Sequence, residues 1–462
     1  MDHSSNPKQK IKVILKKTQA PQESQEPENI NPKPKIKVVL KKPHQLQENE
    51  EKHEPNVSSS THQINQSPHL FRFVDLFCGI GGFHVALKQL GGVCVMASDI
   101  DPECRKIYEL NHGLVPQGDV RELGVLPPHD LLCCGFPCQP FSNAGKKKSF
   151  DDRRGLLFDQ ITRLLQINHT PFAILENVKH IKKVSNGLVY QYIYDQLHDI
   201  GYQVFDLVLS PKDLKIPQNR ERVIFVVIRD DLFTEIKKKQ FFEIFELKKT
   251  QYQEKNQNLV IFEPNPDPKY QISTEIRQVL RMWDKLIRSL APTGEIISPV
   301  IPEYFTQNES PDNSDWKNGY IKKNRLFYEK YSQIIDPWYQ HHRDLLTKKK
   351  VYGKLEWQTG GIEPDDTIYR YFIQIRQSGI RVKKTDCFPA LVAIVQTSII
   401  ANQERYLTPR ECTRLQSLPD DFTFGNQSDK LTYKQLGNGI NAEIVKIVGE
   451  ILLNVFKEYF VH

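Results

Sequence analysis

Short apolar runs alternate with helix-like segments from Phe71 onward, and this alternation limits the possible folds more than any other feature of the chain. Apolar runs of strand length occur at 71–77, 93–97, 130–134, 172–175, 204–209 and 223–228. Helix-like segments lie between them at 83–89, 102–110, 156–166 and 189–199. Strands and helices that alternate along a chain form a largely parallel sheet with helices on both faces. The pattern therefore predicts a doubly wound α/β domain.

Changes in composition predict the domain organisation. Residues 1–70 lack Phe, Tyr, Trp, Gly and Cys and are rich in polar residues, so we expect a disordered basic and polar tail. The α/β pattern fills 71–230, the first part of the main domain. Residues 231–399 are irregular apart from an amphipathic helix near 275–290, which predicts a separate inserted domain. Residues 400–462 regain the α/β pattern and are expected to return to the main domain.

The tail contains an internal duplication of twelve residues. Residues 6–17 recur almost unchanged at 31–42, and each copy alternates basic and β-branched side chains. Such a motif could contact the DNA backbone or add a strand to a partner. A solvated tail without a partner is the interpretation we favour.

The overall composition excludes several classes. The chain has 462 residues, of which 39% are hydrophobic and 26% charged, and no apolar run approaches the length of about 20 residues that a membrane helix needs. The start at Met1 has no basic and apolar leader, so we expect a reducing compartment and free thiols. Cysteine spacing lacks a C-x-x-C pair, which argues against a metal site. The net charge of +7 permits a nucleic-acid partner without establishing one.

A proline-flanked cysteine follows the third apolar run. The sequence Gly135-Phe136-Pro137-Cys138-Gln139-Pro140 holds Cys138 in a stiff loop, because each proline fixes its own φ and restricts the residue before it. A rigid, accessible thiol near basic residues suits a nucleophile, since positive charge favours the thiolate. The alternative is that Cys138 is a small buried hydrophobic residue, the usual position of a free cysteine.

The first apolar run leads into the glycine-rich sequence Cys78-Gly79-Ile80-Gly81-Gly82, which lets the backbone approach a ligand closely. Its spacing differs from the dinucleotide pattern G-x-G-x-x-G, so a cofactor without a phosphate is at least as plausible. Asp99 follows the second run and could accept hydrogen bonds from a ribose diol. Asp119 is expected at the end of a further strand and would suit an exocyclic amine. Together these features predict a nucleotide-like ligand at consecutive strand ends.

The chain resembles the DNA (cytosine-5) methyltransferases of the bacterial restriction-modification type. The resemblance covers about 71–230 and 407–462. It rests on six motifs in the family's order: Asp75 to Gly82, Gly135 to Ser142, Glu176-Asn177-Val178, Gln218 to Arg222, Leu407 to Glu411, and Gly437-Asn438. It implies a Rossmann-like methyltransferase sheet, S-adenosylmethionine as methyl donor, and a target-recognition domain in the insert. It also implies that the substrate is double-stranded DNA from which the target cytosine is flipped out.

The resemblance also implies roles for individual residues. Cys138 matches the nucleophile that adds to C6 of cytosine, Glu176 the group that holds N3 and the exocyclic amine, and Arg222 the contact to O2. Arg220 would support the Glu176 side of the pocket. The positions that match the donor contacts are Phe77, Gly79, Gly81, Asp99, Ile100, Asp119, Val120 and Asn438. The positions that match the mobile DNA-binding loop include Ser142, Lys146, Arg153 and Arg154.

Some positions depart from the commonest family pattern. Asp99 stands where glutamate is usual, which shortens the reach toward the ribose, and Gly439 replaces a frequent serine. Ser210 and Lys215 replace the usual asparagine and glycine before Ile216. Every catalytic group is present, so we expect an active enzyme, and these departures bear on donor affinity.

Alternative functions remain open at this point. An RNA cytosine methyltransferase shares the fold and chemistry, although its insert is generally shorter than 231–399. A DNA-binding relative without catalysis is disfavoured by the intact Cys138, Glu176 and Arg222. A nicotinamide-dependent oxidoreductase is disfavoured by the glycine spacing. We expect a monomer in the bacterial cytoplasm, associated with the nucleoid through DNA, with a cognate endonuclease as a functional partner.

Overall fold

A computed structural model describes residues 71–137, 156–392 and 397–460. The tail 1–70 with its duplicated motif lies outside these ranges. The strands are β1 Phe71–Leu76, β2 Gly92–Ser98, β3 Leu131–Gly135, β4 Phe172–Val178, β5 Tyr202–Leu209, β6 Gln218–Asn219, β7 Arg222–Arg229, β8 Leu355–Gln358, β9 Phe372–Arg376, β10 Gly379–Lys383, β11 Phe388–Pro389, β12 Ile399–Ile400 and β13 Arg405–Tyr406. The helices are α1 Gly82–Lys88, α2 Pro102–His112, α3 Leu156–Asn168, α4 Leu188–Asp199, α5 Glu235–Lys255, α6 Thr274–Leu290, α7 Asp315–Lys348, α8 Pro409–Leu415, α9 Asp429–Asn438, α10 Ala442–Val455 and α11 Lys457–Phe460.

The first sheet has the strand order β2-β1-β3-β4-β7-β5. Strands β1 to β4 are parallel, and β7 runs antiparallel to both β4 and β5. The chain builds outward from β1 to β2, then crosses to β3 on the other side of β1, so the strand order reverses at β1 and β3. In open α/β sheets, ligands bind at the carboxyl end of such a reversal. The six predicted strands and four predicted helices of this domain are confirmed, as is the α/β fold class.

Helices cover both faces of this sheet because its strands are apolar on both sides. On one face, side chains such as Phe73, Phe172 and Ile224 pack into a core with helices α1, α5 and α10. On the other face, side chains such as Val74 and Leu175 pack into a second core with α3 and α4. Burial on both faces explains why the central strands read as continuous apolar runs instead of alternating patterns.

The end of the chain returns to the first sheet. Helix α10 packs in the core between α1 and α5, and Lys248 and Tyr252 of α5 both contact the carboxylate of Glu450 on α10, at 2.5 and 2.8 Å. Helix α8 begins with a capping box in which Thr408 and Glu411 satisfy each other's backbone N–H groups. This return brings Asn438 and its neighbours to the edge of the first sheet that carries the glycine turn.

The insert and the first residues of the C-terminal segment form a second sheet with its own core. The strand order is β13-β12-β9-β10-β8, and helices α6 and α7 cover one face of it. Trp283 and Trp338 pack together at the centre, with ring centroids 5.2 Å apart. The predicted amphipathic helix is confirmed as α6. The rest of the insert is more regular than its sequence indicates, because α5 and α7 are long helices.

The point along the chain at which side chains stop packing in the first core and start packing in the second lies later than the predicted domain boundary at 230 and 231. Helix α5 follows residue 231, yet Phe241 and Phe245 pack in the core of the first sheet. The second core starts with Ile272. The division at 230 and 231 follows the last strand of the first sheet, and the domain limits stay a prediction. Within the described residues, no helix is both long enough and apolar enough to cross a membrane.

Candidate active site

Strand register brings the predicted site residues to one edge of the first sheet. Leu76, the last residue of β1, lies opposite Ser98 of β2 and Cys134 of β3. Gly135 lies opposite Glu176 of β4. The glycine turn after β1, Asp99 after β2, Phe136 after β3 and Glu176 therefore lie side by side. Arg222 joins them because β7 is antiparallel to β4 and begins at this edge.

Glu176 and Arg222 form a shielded ion pair. Arg222 Nε lies 2.7 Å from Glu176 Oε1, and the two side chains are only 14% and 12% exposed. The carboxylate also lies over the backbone of β3, since a Cβ atom at Gly135 would be 3.2 Å from Glu176 Oε2. Gly135 therefore leaves room for the carboxylate between adjacent strands. The arrangement provides a fixed acceptor and a fixed donor within one small region, as recognition of a base edge requires.

Cys138 lies outside the described residues, as do Ser142, Lys146, Arg153 and Arg154. The chain leading to Cys138 is described as far as Pro137. Phe136 is buried. Its carbonyl oxygen accepts a 3.0 Å hydrogen bond from the side-chain amide of Asn177, the residue after Glu176. Pro137, the last described residue before Cys138, follows Gly135 by two positions, and Gly135 lies opposite Glu176.

Arg220 ties the C-terminal segment to the pocket instead of facing it. Its guanidinium donates to the carbonyl oxygens of Leu391, Gly437 and Gly439 at 2.6, 2.9 and 2.7 Å. It is almost fully buried, and burial together with the nearby charge of Arg222 lowers its pKa. Every contact of this guanidinium with a described residue is to the backbone. Arg220 therefore connects the residues on either side of Asn438 to the strand that carries Arg222.

The glycine turn has a backbone conformation that is open to a ligand. Gly79 and Gly81 have φ values of 53° and 92°, in the left-handed region that favours glycine. A side chain at Gly81 would collide with the ring of His112, because a Cβ atom there would lie 2.1 Å from its Nε2. At Gly79, by contrast, no atom of the described residues beyond its chain neighbours lies within 4 Å of a hypothetical Cβ. A ligand can therefore approach the backbone at Gly79.

Asp99 links this turn to the end of β2. Its carboxylate accepts hydrogen bonds from the N–H groups of Gly79 and Asp101, both at 2.8 Å. Burial raises its pKa, because a desolvated carboxylate is disfavoured, while the two N–H groups partly oppose this effect. Ile100 beside it is 66% exposed, which leaves an apolar side chain open at the same edge.

Asp119 and Val120 do not follow a strand of their own, and the prediction on this point is wrong. Among the described residues, this segment forms a single bridge in which Gln117 pairs with Ser98. Ser98 Oγ also donates to the carbonyl oxygen of Gly118 at 2.7 Å. Asp119 thus reaches the same edge by running beside β2. Its carboxylate pairs with Arg121, which lowers its pKa, and Val120 is buried.

Ser210 has a role that sequence reasoning missed. It appears there only as a departure from the family pattern, yet its hydroxyl accepts the backbone N–H of Arg220 at 2.9 Å. The same hydroxyl donates to the carbonyl of Gln218 at 3.3 Å. It therefore holds the turn that leads into β7. No local pattern signals this contact, because the partners are eight and ten residues away.

Comparison with known proteins identifies the family. The family model described as C-5 cytosine-specific DNA methylase matches residues 71–454. The chain is 29% identical over 481 aligned positions to the type II methyltransferase M.AluI of Cellulosimicrobium cellulans, covering 81% of this chain and 90% of that protein. It is 29% identical over 386 positions to M.DsaV of Dactylococcopsis salina, covering 83% and 86%. It is 39% identical over 178 positions to M.HhaI of Haemophilus parahaemolyticus, covering 38% and 54%.

The family model matches the α/β sheet with its glycine turn and strand-end carboxylates, and this match shows that the protein is a methyltransferase. The family match covers most of the chain, and the chain belongs to the C-5 cytosine-specific DNA methylases. It is therefore an enzyme, a DNA (cytosine-5) methyltransferase, and its substrate class is DNA. The predicted family, enzyme class and reaction are confirmed.

Proposed function

We propose that this protein methylates C5 of a cytosine flipped out of one short duplex sequence, through a covalent bond between Cys138 and C6. The observation that carries the proposal is the Glu176 and Arg222 pair, held 2.7 Å apart at the strand edge from which the loop to Cys138 departs. Thiolate, carboxylate and guanidinium are the groups that this chemistry needs on one base. The meeting of the carboxylate and the guanidinium at this edge supports a single catalytic pocket.

The proposed reaction begins with addition of the Cys138 thiolate to C6. The C5–C6 double bond opens, and its electron pair makes C5 nucleophilic. Glu176 holds N3 and the exocyclic amine, and Arg222 donates to O2, so that charge developing on the ring is stabilised in a pocket shielded from water. After C5 has gained the methyl group, a base removes the C5 proton. The C6–sulfur bond then breaks, which restores both the ring and the thiolate.

The residues at the glycine turn fit S-adenosylmethionine as the methyl donor. When bound, this molecule supplies an electrophilic methyl group. The open space over Gly79, the turn conformation at Phe77 and Gly81, and the carboxylate of Asp99 suit an approaching amino acid and ribose portion. The exposed Ile100 offers an apolar surface to the adenine. The remaining proposed donor contacts are Asp119, Val120 and Asn438.

We assign Arg220 a positioning role. Its three bonds to carbonyl oxygens hold the segment around Asn438 against the strand of Arg222. This contact network supports a coupling between the proposed donor pocket and the proposed cytosine pocket. Ser142, Lys146, Arg153 and Arg154 are proposed to contact DNA phosphates when the catalytic loop closes over the duplex.

The proposal extends to the setting of the enzyme. The insert 231–399 is proposed as the target-recognition domain between the catalytic segments 71–230 and 400–462. The similarity to type II methyltransferases over most of their length supports a role as the modification enzyme of a restriction-modification system, with a functional endonuclease partner. We further propose a monomer that acts on the nucleoid in a bacterial cytoplasm.

The decisive experiment is transfer of labelled methyl from S-adenosylmethionine to unmethylated duplex DNA and, in parallel, to tRNA. Conversion sequencing then locates the 5-methylcytosines. Methylation of DNA at one short motif is the expected result. Label in tRNA alone would move the substrate to RNA, and label in neither would favour a DNA-binding relative without activity.

A further inference from the structure

The second sheet has two faces of opposite chemistry. One face, which includes Ile373, Ile380 and Val382, is buried in the second core under α6 and α7. Because side chains alternate along a strand, the intervening residues lie on the other face. We call this the cationic face, and its polar members are Glu356, Gln358, Gln374, Arg376, Arg381 and Lys383.

Neighbouring strands fix the two arginines of the cationic face. Arg381 lies opposite Gln374 of β9 and Glu356 of β8, and its Nε is 2.8 Å from Glu356 Oε2. Arg376 donates from Nη2 to Gln374 Oε1 at 2.8 Å. Gln374 is 1% exposed and donates in turn to Ser398 Oγ at 3.4 Å. Gln374 therefore holds Arg376 through a hydrogen bond, whereas Glu356 holds Arg381 through an ion pair in which the buried Nε of Arg381 has no hydrogen-bond partner among the described residues.

Charge on the cationic face is not balanced within the described residues. Glu356 is the carboxylate that meets Arg381, and it also pairs with Lys354 at 3.1 Å. Burial together with Arg381 lowers the pKa of Arg376, and burial with both arginines lowers that of Lys383. The buried Nε of Arg376 has no hydrogen-bond partner in the described ranges. Partly dehydrated cations of this kind require an acceptor-rich partner.

Contacts connect the cationic face to the candidate cytosine pocket. Phe372 lies on the same face as Gln374, and its ring stacks on Phe388 with centroids 3.9 Å apart. Strand β11, which contains Phe388, pairs with β6 just before Arg220. Leu391, shortly after β11, accepts the hydrogen bond from Arg220. A continuous path of packed residues therefore runs from the cationic face to the strand of Arg222.

We propose that Arg376 and Arg381 are specificity-determining residues that contact guanine edges in the major groove beside the target cytosine. This inference rests on the proposed function. Arginine forms paired hydrogen bonds to O6 and N7 of guanine, which demands a guanidinium of fixed orientation. Phosphate contacts do not demand it, because a mobile lysine on the surface suffices. The supports from Gln374 and Glu356 thus favour base reading over backbone binding.

The test compares Arg376→Gln and Arg381→Gln with the control Arg370→Gln. Arg370 lies in the same insert, is half exposed and pairs with Asp365, which is not a member of the cationic face. Each enzyme methylates a randomised duplex library that is read by conversion sequencing, and donor binding is measured separately. Each face variant is expected to lose about 10- to 100-fold in transfer at the wild-type motif and to relax its preference at one guanine. The control and all donor affinities should match wild type.

Several results would overturn the inference. An unchanged motif with an unchanged rate excludes the arginines from recognition. A loss that is uniform across sequences, with a weaker dependence on salt, makes them phosphate contacts. If a glutamine variant unfolds at a lower temperature than wild type, Arg376→Lys and Arg381→Lys replace it in the test, because lysine keeps the positive charge. A relaxed motif in a folded lysine variant supports the inference, and an unchanged motif contradicts it. Wild-type enzyme that methylates no DNA would instead refute the proposed function.

Discussion

The edge of the first sheet and the cationic face of the second sheet both bring charged side chains together, but they balance charge differently. At the first edge, Glu176 pairs with Arg222, and Asp99 is satisfied by two backbone N–H groups. On the cationic face, Arg376, Arg381 and Lys383 share one carboxylate among the described residues. This difference fits the proposed roles, because a pocket for chemistry is organised before substrate arrives, whereas a recognition surface is completed by its partner.

The sharpest test of the first region is Cys138→Ser. Serine lacks a readily formed anion at neutral pH, so methyl transfer should fall by at least about a thousand-fold while donor binding stays near wild type. Transfer of labelled methyl and calorimetric donor binding measure the two effects. Cys387→Ser, at a half-buried thiol in the insert, is the matched control. Substantial transfer by the Cys138 variant would contradict the proposed nucleophile.

Glu176→Gln should reduce transfer by about a hundred- to a thousand-fold, because the amide neither balances Arg222 nor takes part in protonation at N3. Steady-state rates with saturating DNA and donor measure this effect. The control is Glu221→Gln, since Glu221 is 44% exposed and its 2.7 Å pair with Lys179 lies on the surface. If both variants lose the same amount of methyl transfer, the loss in Glu176→Gln reflects a general disturbance of the structure and contradicts a catalytic role.

The connection between the second sheet and helix α8 can be broken at Glu411. Its fully buried carboxylate pairs with Arg405 of the second sheet at 2.7 Å and also accepts the N–H of Glu263. Glu411→Gln leaves the buried Arg405 without its counter-ion. The free energy of unfolding, measured by urea denaturation, should therefore fall by about 3 kcal/mol. The exposed pair of Asp420 and Arg414 in the same segment provides the control Asp420→Asn, with an expected loss below about 1 kcal/mol.

Asp99→Asn should weaken donor binding by about ten-fold, because an amide oxygen accepts hydrogen bonds less strongly than a carboxylate. The raised pKa of Asp99 also means that this carboxyl takes up a proton at a higher pH than an exposed aspartate. Wild-type donor affinity should therefore fall on mild acidification, and the variant should lose that dependence. The control is Asp130→Asn, because the carboxylate of Asp130 accepts the N–H of Arg72 at the opposite end of the sheet. If donor affinity in Asp99→Asn depends on pH as it does in wild type, the Asp99 carboxyl is not the group responsible for that dependence.

Local patterns predicted the first sheet well. Its strands are buried on both faces and therefore stand out as apolar runs, and its helices lie between them with matching periodicity. Helices α5 and α7 escaped prediction. Their sequences are rich in Lys, Gln and Tyr, and α7 contains both Gly319 and Pro337. Tertiary packing of Phe241, Phe245 and Trp338 stabilises the two helices, and in α7 it outweighs the unfavourable Gly319 and Pro337.

The sequence by itself determined the family, the reaction and the candidate groups Cys138, Glu176 and Arg222, because these are short motifs whose chemistry depends on residue type. Only the tertiary structure decided that Glu176 and Arg222 meet, since an antiparallel strand brings them to the same edge from positions far apart in the chain. It also decided the roles of Ser210 and Arg220. The cationic face depends likewise on register between strands, which fixes neighbours that no local pattern specifies.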